Sequence, residues 1–158
     1  MTQALDERAV STTLNYALNL SLATLLITGL LIAGGNFVQN QREQTVRTEL
    51  RVIGQQISAD IVTVDRLIRT KDSANTLSLD RVEVDRKLPR KVSGSTYSVE
   101  IAGSVPSYTI TLTSANPGVS VSVSIDTQTP FDTSTSFSGG TIEIRYPNAE
   151  DEIEVINE

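Results

Sequence analysis

The sequence contains no cysteine, no histidine and no tryptophan. Without cysteine, the chain can form no disulfide bond and has no thiolate nucleophile. Without histidine, it lacks the side chain that most often acts as a general base or metal ligand near neutral pH. The sequence also has no EF-hand calcium loop, no glycine-rich phosphate loop and no nucleophile elbow. We therefore predict that the protein is not an enzyme, has no catalytic or metal site and takes no cofactor.

Positive charge is also scarce, because 13 lysine and arginine residues face 19 acidic ones and the net charge is −6. A negatively charged protein is repelled by nucleic-acid phosphates and by anionic lipid surfaces, so we expect no nucleic-acid partner. Lysine is the rarer of the two basic residues. An acidic, lysine-poor composition is typical of a protein that works in high salt. Many other extracellular domains are equally acidic, so both interpretations stay open.

The longest feature of the sequence is the segment 9–41, which contains no charged residue. Arg8 precedes this segment and Arg42 follows it. The hydrocarbon core of a bilayer is about 30 Å thick, and about 20 helical residues cross it. We therefore predict a transmembrane helix, with the lipid bilayer as a partner of the chain.

The residues Arg8-Ala9-Val10-Ser11 place a charge immediately before this long apolar segment. In this respect the N-terminus resembles haloarchaeal type IV pilins and pilin-like proteins, in which a prepilin peptidase removes a short charged leader. The resemblance implies that residues 1–8 are a leader, that cleavage falls between Arg8 and Ala9, and that the helix becomes a filament core. The alternative interpretation is an uncleaved signal anchor, with residues 1–8 as a cytoplasmic tail.

The side of the membrane on which the C-terminal part lies is judged from two opposing signals. Arg42, Arg47 and Arg51 outnumber Arg8, and the positive-inside rule alone would favour a cytoplasmic C-terminal part. Long domains nevertheless translocate largely regardless of flanking charge. The leader-like start and the serine- and threonine-rich strands favour an extracellular C-terminal domain, in the cell membrane or on a surface filament.

Polar and small residues within the apolar helix indicate self-association. Ser11, Asn15 and Asn19 follow one another at intervals of four and therefore share one helical face. Such side chains usually turn toward other helices in a membrane. Gly29 and Ala33 form a small-xxx-small pair that lets a neighbouring backbone approach closely. We predict that these five residues contact other copies or other pilin-like subunits.

The pattern then changes, and residues 42–70 form a predicted amphipathic extension of the helix. Apolar residues recur at spacings of three and four, whereas the charged residues, Asp60 and Asp65 among them, mostly lie on other faces. The apolar positions are Val46, Leu50, Ile53, Ile57, Ile61, Val64 and Ile68. This stripe covers about three heptads, too few for a coiled-coil stalk, so we expect it to pack on the chain's own sheet. The polar stretch 71–75 is expected to end the helix.

Residues 71–158 are predicted to form a small antiparallel β domain of about seven strands, because apolar residues alternate with polar ones between turn signals. The alternating positions are Leu77, Leu79, Val82, Val84, Val99, Ile101, Tyr108, Ile110, Leu112, Val119, Val121, Val123, Ile125, Ile142, Ile144, Tyr146, Ile153 and Val155. Asn116-Pro117-Gly118 predicts a hairpin from residues 108–113 to residues 119–125. The predicted fold class is α+β: a long helix, transmembrane and then amphipathic, packed on an antiparallel sheet, as in type IV pilins.

Two charged clusters stand apart from the rest of the sequence. The basic cluster consists of Arg81, Arg86, Lys87, Arg90 and Lys91, and the acidic tail contains Glu150, Asp151, Glu152, Glu154 and Glu158. They are candidates for pairing within one domain or between neighbouring subunits, where complementary patches set the register. Two independent solvated faces are the other interpretation.

These observations lead to two functional hypotheses. The first is a structural subunit of a type IV pilus-like filament or pseudopilus, assembled through the N-terminal helix and serving adhesion, motility or secretion. The second is a monomeric, membrane-anchored extracellular β domain that binds a ligand or a partner protein. Polymerisation through the helix distinguishes them.

Overall fold

The structure is a computed structural model. It describes the backbone of residues 3–74, 81–134, 136–147 and 151–157, and the side chains of residues 13–70, 82–134, 136–147 and 151–157. The chain divides into two compact units, Met1–Gln41 and Arg42–Glu158. One helix, α1 (Gln3–Ala74), provides the described part of the first unit and the start of the second. As predicted, the protein is α+β.

The helix begins earlier in the chain than the sequence led us to expect. We placed its start at Ala9 and expected the polar stretch 71–75 to end it, and α1 begins at Gln3 and ends at Ala74, within that stretch. Residues 3–8 include alanine, leucine, glutamate and arginine, which favour helix, and contain no glycine or proline. These polar residues therefore continue the helix, because none of them disrupts its backbone.

In the second unit, the predicted apolar stripe of α1 is confirmed as a buried face. All seven stripe residues from Val46 to Ile68 are at most 4% exposed. Their side chains join a core that includes residues of every strand for which side chains are described. The amphipathic half of the helix therefore packs on the chain's own strands, and this packing, more than helix propensity, stabilises it.

The strands of the second unit form two antiparallel sheets rather than the single one predicted. The strands are β1 (Arg81–Lys87), β2 (Tyr97–Ser104), β3 (Ser107–Ser114), β4 (Val119–Asp126), β5 (Ser136–Ser138), β6 (Thr141–Pro147) and β7 (Glu154–Asn157). One sheet has the order β1-β6-β7 and the other the order β4-β3-β2-β5. The strand that we predicted around Leu77 and Leu79 lies outside the described residues.

The hairpin predicted at residues 108–125 is confirmed. β3 and β4 pair over eight consecutive positions, from Ser107 opposite Asp126 to Ser114 opposite Val119. The alternation places valine, isoleucine, leucine and Tyr108 on the core side and the serines and threonines, except the buried Ser114, on the outer side. The three-residue strand β5 was not predicted, because Ser136-Phe137-Ser138 is too short to show an alternating pattern.

At Gly54, α1 lies close to the hairpin of β3 and β4. A side chain built there would lie 2.8 Å from Leu112 Cδ1 and 2.9 Å from Val123 Cγ2. The helix continues without interruption through this glycine. Its missing side chain therefore lets the helix approach β3 and β4 more closely than any other residue would allow.

Candidate functional site

The first candidate site is the surface of the apolar half of α1. Every described side chain from Thr13 to Gln41 is exposed, and the large apolar ones from Leu14 to Val38 expose 55–75% of their surface. By length and composition this helix can cross a membrane, with a mean hydropathy of 1.9 over its most apolar window. So large an apolar surface is normally covered by lipid or by another protein.

The predicted assembly residues fall on one side of this helix. At 100° per residue, Ala33 lies directly in line with Asn15, while Asn19 and Gly29 lie about 40° to either side. The four positions extend about 27 Å along the axis, close to the thickness of a bilayer core. Ser11, Arg8 and Ala9 also lie in the helix, but their side chains are outside the described residues.

The polar side chains of this helix are of two kinds. The hydroxyls of Ser21, Thr24 and Thr28 each donate to the carbonyl four residues earlier, at 2.8 Å. Such bonds satisfy a hydroxyl inside its own helix. Within the described part of the chain, the amides of Asn15 and Asn19 make no hydrogen bond. In a bilayer, amides of this kind usually find their partners on neighbouring helices.

Gly29 lies in open space within the protomer. A side chain added at Gly29 would meet no described atom within 4 Å, and the same holds for Gly34. Gly34 lies about 140° further round the helix than Gly29. Substitution at either position is therefore compatible with the protomer fold. Both substitutions change helix propensity alike, but only the one at Gly29 changes the face that carries Asn15 and Asn19.

A second group of residues fixes the amphipathic half of α1 to the strands. Asp60 on the helix receives two hydrogen bonds from the Arg86 guanidinium on β1 in a bidentate ion pair. This hydrogen bond and the charge of Asp60 raise the pKa of Arg86 above its ordinary value. Planar bidentate pairs of this kind are among the more specific charged contacts in proteins.

The carboxylate of Asp65 fixes the next turn of the helix to the loop after β4. Its Oδ1 accepts hydrogen bonds from the backbone N–H groups of Gln128 (3.2 Å) and Thr129 (3.0 Å) and from the Thr129 hydroxyl (2.9 Å). Its Oδ2 lies 2.8 Å from Arg69 Nη2. Asp65 is only 1% exposed, so these contacts compensate for the burial of its charge.

Placing Asp60 and Asp65 on the exposed faces of the helix was wrong, since both are buried. One signal was available in the sequence. Asp65 follows Ile61 by four residues and precedes Ile68 by three, which puts it on the apolar stripe itself. A carboxylate at such a position needs partners from elsewhere in the fold, but the sequence does not identify them.

Arg86 of the basic cluster and Glu154 of the acidic tail each pair with a residue outside the two clusters. Within the basic cluster, Arg86 pairs with Asp60, while Lys87, Arg90 and Lys91 are exposed and have no ion-pair partner among the described residues. In the acidic tail, Glu154 pairs with Arg145 at 2.7 Å. The side chain of Arg81, and both Glu150 and Glu158, lie outside the described residues.

The acidic tail also contacts β6. The hydroxyl of Tyr146 donates to Asp151 at 2.9 Å. Glu152 is half-buried. Pairing of the acidic tail with the basic cluster of another subunit stays a prediction.

Three carboxylates approach one another on the three-stranded sheet. Oxygens of Glu83, Asp85 and Glu143 lie within 4.8 Å, with Glu143 buried and the other two exposed. Exposed acidic groups often lie this close without binding an ion, and Glu83 and Glu143 have other interaction partners. This cluster by itself does not establish a metal site.

A model of a protein family, described as a family of unknown function (DUF7266), matches residues 5–157. The chain belongs to this family. The match includes both the apolar helix and the β domain, so the combination of the two is a property of the family. No curated protein and no solved structure matches the chain.

Proposed function

We propose that the protein is a structural subunit of a type IV pilus-like filament or pseudopilus, assembled through the apolar half of α1. The observation that carries this proposal is that the amides of Asn15 and Asn19, on an exposed apolar helix, make no hydrogen bond within the described part of the chain. Lipid can cover the leucines of this helix, but it cannot donate hydrogen bonds to buried amides. Helices of other subunits can provide both apolar cover and amide partners.

The contacts of the amphipathic half suit a subunit of this kind. A continuous helix joins the apolar segment to the β domain without an intervening loop. The ion pair of Asp60 and the hydrogen bonds of Asp65 attach that helix to two different parts of the domain. A domain held in this way keeps a defined position on its helix, as a regular assembly of identical subunits requires.

Processing and location complete the proposal. The resemblance to haloarchaeal pilin-like proteins supports removal of residues 1–8 by a prepilin peptidase, with Ala9 as the mature N-terminus. Before assembly, the helix would lie in the cell membrane with the β domain outside. The intact mass and N-terminal sequence of protein purified from its native membrane test this step, and a chain that retains residues 2–8 contradicts it.

The assembly itself is tested by substitution at Gly29 and Gly34. We expect Gly29→Ile to reduce the size of oligomers extracted in mild detergent, because the larger side chain prevents close approach on the Asn15 face. Gly34→Ile is the matched control, because Gly34 lies on another side of the helix. A side chain added there also has no described atom within 4 Å. Equal oligomer size for wild type and Gly29→Ile would overturn the proposal.

One observation favours the second candidate, a membrane-anchored binding domain. A cleft of about 430 Å³ lies between α1 and the loop after β1. Val52, Ile53, Pro89 and Val92 form its apolar walls, and Glu49 and Lys91 contribute charge. Two results together would favour this candidate. The protein would be monomeric, with the same size for Gly29→Ile as for the wild type, and Val52→Glu would abolish the binding of a partner.

A further inference from the structure

Most edge strands of the two sheets are protected against pairing with another chain. β1 carries Arg81, Glu83, Asp85, Arg86 and Lys87 among its seven residues, and charged side chains disfavour edge pairing. β5 and β7 have only three and four residues, too few for a long ladder. Short or charged edges are the usual means by which β proteins avoid association.

The fourth edge, β4, lacks every one of these protections. It has eight residues, contains no lysine, arginine or proline, and carries a single charge, Asp126, at its end. It pairs with β3 without a bulge, so its free edge is regular. Among the described residues, no other segment forms a backbone hydrogen bond with β4. Its outward N–H and C=O groups are therefore available for a further strand.

The sequence of β4 is complementary to itself in the antiparallel direction. If two copies meet with Ser122 opposite Ser122, then Val119 faces Ile125 and Val121 faces Val123. Ser120 then faces Ser124 on the outer side. β-Branched pairs thus align on the core side and hydroxyl pairs on the outer side, and both kinds of pair stabilise a sheet.

The charge of Asp126 also favours the antiparallel pairing of two β4 strands. In this register Asp126 faces Gly118 of the other copy, and the two Asp126 carboxylates lie roughly 27 Å apart at 3.4 Å per residue. A parallel, in-register pair would instead place the two carboxylates side by side. We propose that β4 pairs with β4 of a second copy around a two-fold axis at Ser122, which would join two four-stranded sheets into one of eight strands.

The symmetry of this pair determines which copies can form it. The buried stripe from Val46 to Ile68 extends about 33 Å, so this half of α1 runs along the sheets. A two-fold axis perpendicular to the sheet reverses the direction of that helix. The Arg42 ends of the two amphipathic helix halves then point in opposite directions within the pair. With the proposed membrane anchoring, such a pair joins copies on facing surfaces, that is, it forms a homophilic adhesive contact.

The pairing of β4 does not depend on the proposed filament function, whereas its adhesive role rests on the membrane anchoring. A ladder of seven residues is small, so a single contact is weak and many copies on facing surfaces are needed for firm adhesion. The test must therefore capture a transient pair.

Disulfide trapping in the full-length protein provides that test, because the chain has no cysteine of its own. Cα atoms directly opposite in an antiparallel pair lie about 4.5–5.5 Å apart, within the range that a disulfide can bridge. We expect Ser122→Cys in detergent solution to form dimers about tenfold faster than Ser120→Cys. In the Ser120→Cys variant, the two cysteines would be four residues out of register, roughly 14 Å apart.

A mixture of the single variants Ser120→Cys and Ser124→Cys checks the register. We expect the mixture to cross-link about tenfold faster than either variant does alone. Ser122→Lys should abolish the contact by placing two like charges opposite each other, while the exposed position leaves the protomer intact. Equal rates for Ser122→Cys and Ser120→Cys would overturn the pairing. These results are independent of the Gly29→Ile test of helix assembly.

The opposed orientation is tested with two populations of phosphatidylcholine vesicles, each carrying Ser122→Cys protein with a different epitope tag. Dimers that contain both tags form only between vesicles, and we expect them when the populations are mixed. If dimers form readily but never contain both tags, the pair lies within one membrane and the adhesive role is wrong.

Discussion

Asp65 and Thr129 are 64 residues apart in the sequence, and a single carboxylate oxygen of Asp65 accepts from both the backbone N–H and the hydroxyl of Thr129. The contact is almost fully buried and joins the helix to the loop that follows β4. Because Thr129 is buried, its two donors depend on this one side chain for their hydrogen bonds.

We therefore expect Asp65→Ala to lower the free energy of unfolding by about 2–4 kcal/mol, since it leaves several buried donors unpaired. Asp65→Asn keeps one acceptor oxygen but loses the charge, and we expect a smaller loss. Urea unfolding of the full-length protein in detergent, followed by circular dichroism, measures the difference. If Asp65→Ala loses no more stability than the exposed control Thr63→Ala, the contact does not stabilise the fold.

The ion pair of Asp60 and Arg86 predicts non-additive substitutions. Arg86→Met should destabilise the protein by about 1–3 kcal/mol, because Asp60 is left as a nearly buried carboxylate without its partner. In a protein that already carries Asp60→Asn, Arg86→Met should lower the free energy of unfolding by clearly less. A double-mutant cycle from urea unfolding measures the coupling. Additive effects would show that the two side chains do not interact energetically.

Stability at high pH should depend on Tyr97. Its hydroxyl donates to the carbonyl of Pro89 at 2.8 Å, and burial raises the pKa of Tyr97 to about 12. The unfolded chain loses this proton near pH 10, so the stabilising difference is present below pH 10 and is lost as the pH rises through 12.

Comparison with Tyr97→Phe isolates this contribution from the other groups that titrate in alkali. We expect the wild type to lose up to about 2 kcal/mol more than the variant between pH 9 and pH 12. The measurement is urea unfolding at a series of pH values. Parallel curves for the two proteins would mean that Tyr97 titrates alike in the folded and unfolded states.

Ser114 offers a substitution that should stabilise the protein. It is 1% exposed, and its hydroxyl has no hydrogen-bond partner in the part of the chain that the structure describes. Removing an unsatisfied buried hydroxyl removes the cost of its desolvation. We therefore expect Ser114→Ala to raise the free energy of unfolding by about 0.5–1 kcal/mol. Ser98→Ala, on the outer face of β2, is the matched control and should change stability little. A loss of stability in Ser114→Ala would mean that this hydroxyl has a partner.

The features that sequence periodicity predicted correctly all depend on nearby residues. Helix geometry places Val46, Leu50, Ile53 and the rest of the stripe on one face whatever they pack against. The hairpin of β3 and β4 likewise follows from alternation on both sides of the short turn at Asn116-Pro117-Gly118. The apolar segment needs no partner to be recognised, because its length and its lack of charge suffice.

The tertiary structure alone decided three features: the separation of the strands into two sheets, the position of β4 at an edge, and the partners of Asp60 and Asp65. The helix residue Gly54 illustrates the difference. Local propensity marks it only as a poor helix former. The side chains beside it, Leu112 and Val123, are 58 and 69 residues away in the sequence. Local patterns determine which side of a helix or strand is apolar. Which strand borders which, and which donor reaches a buried carboxylate, depends on packing between distant segments, and a single sequence does not record it.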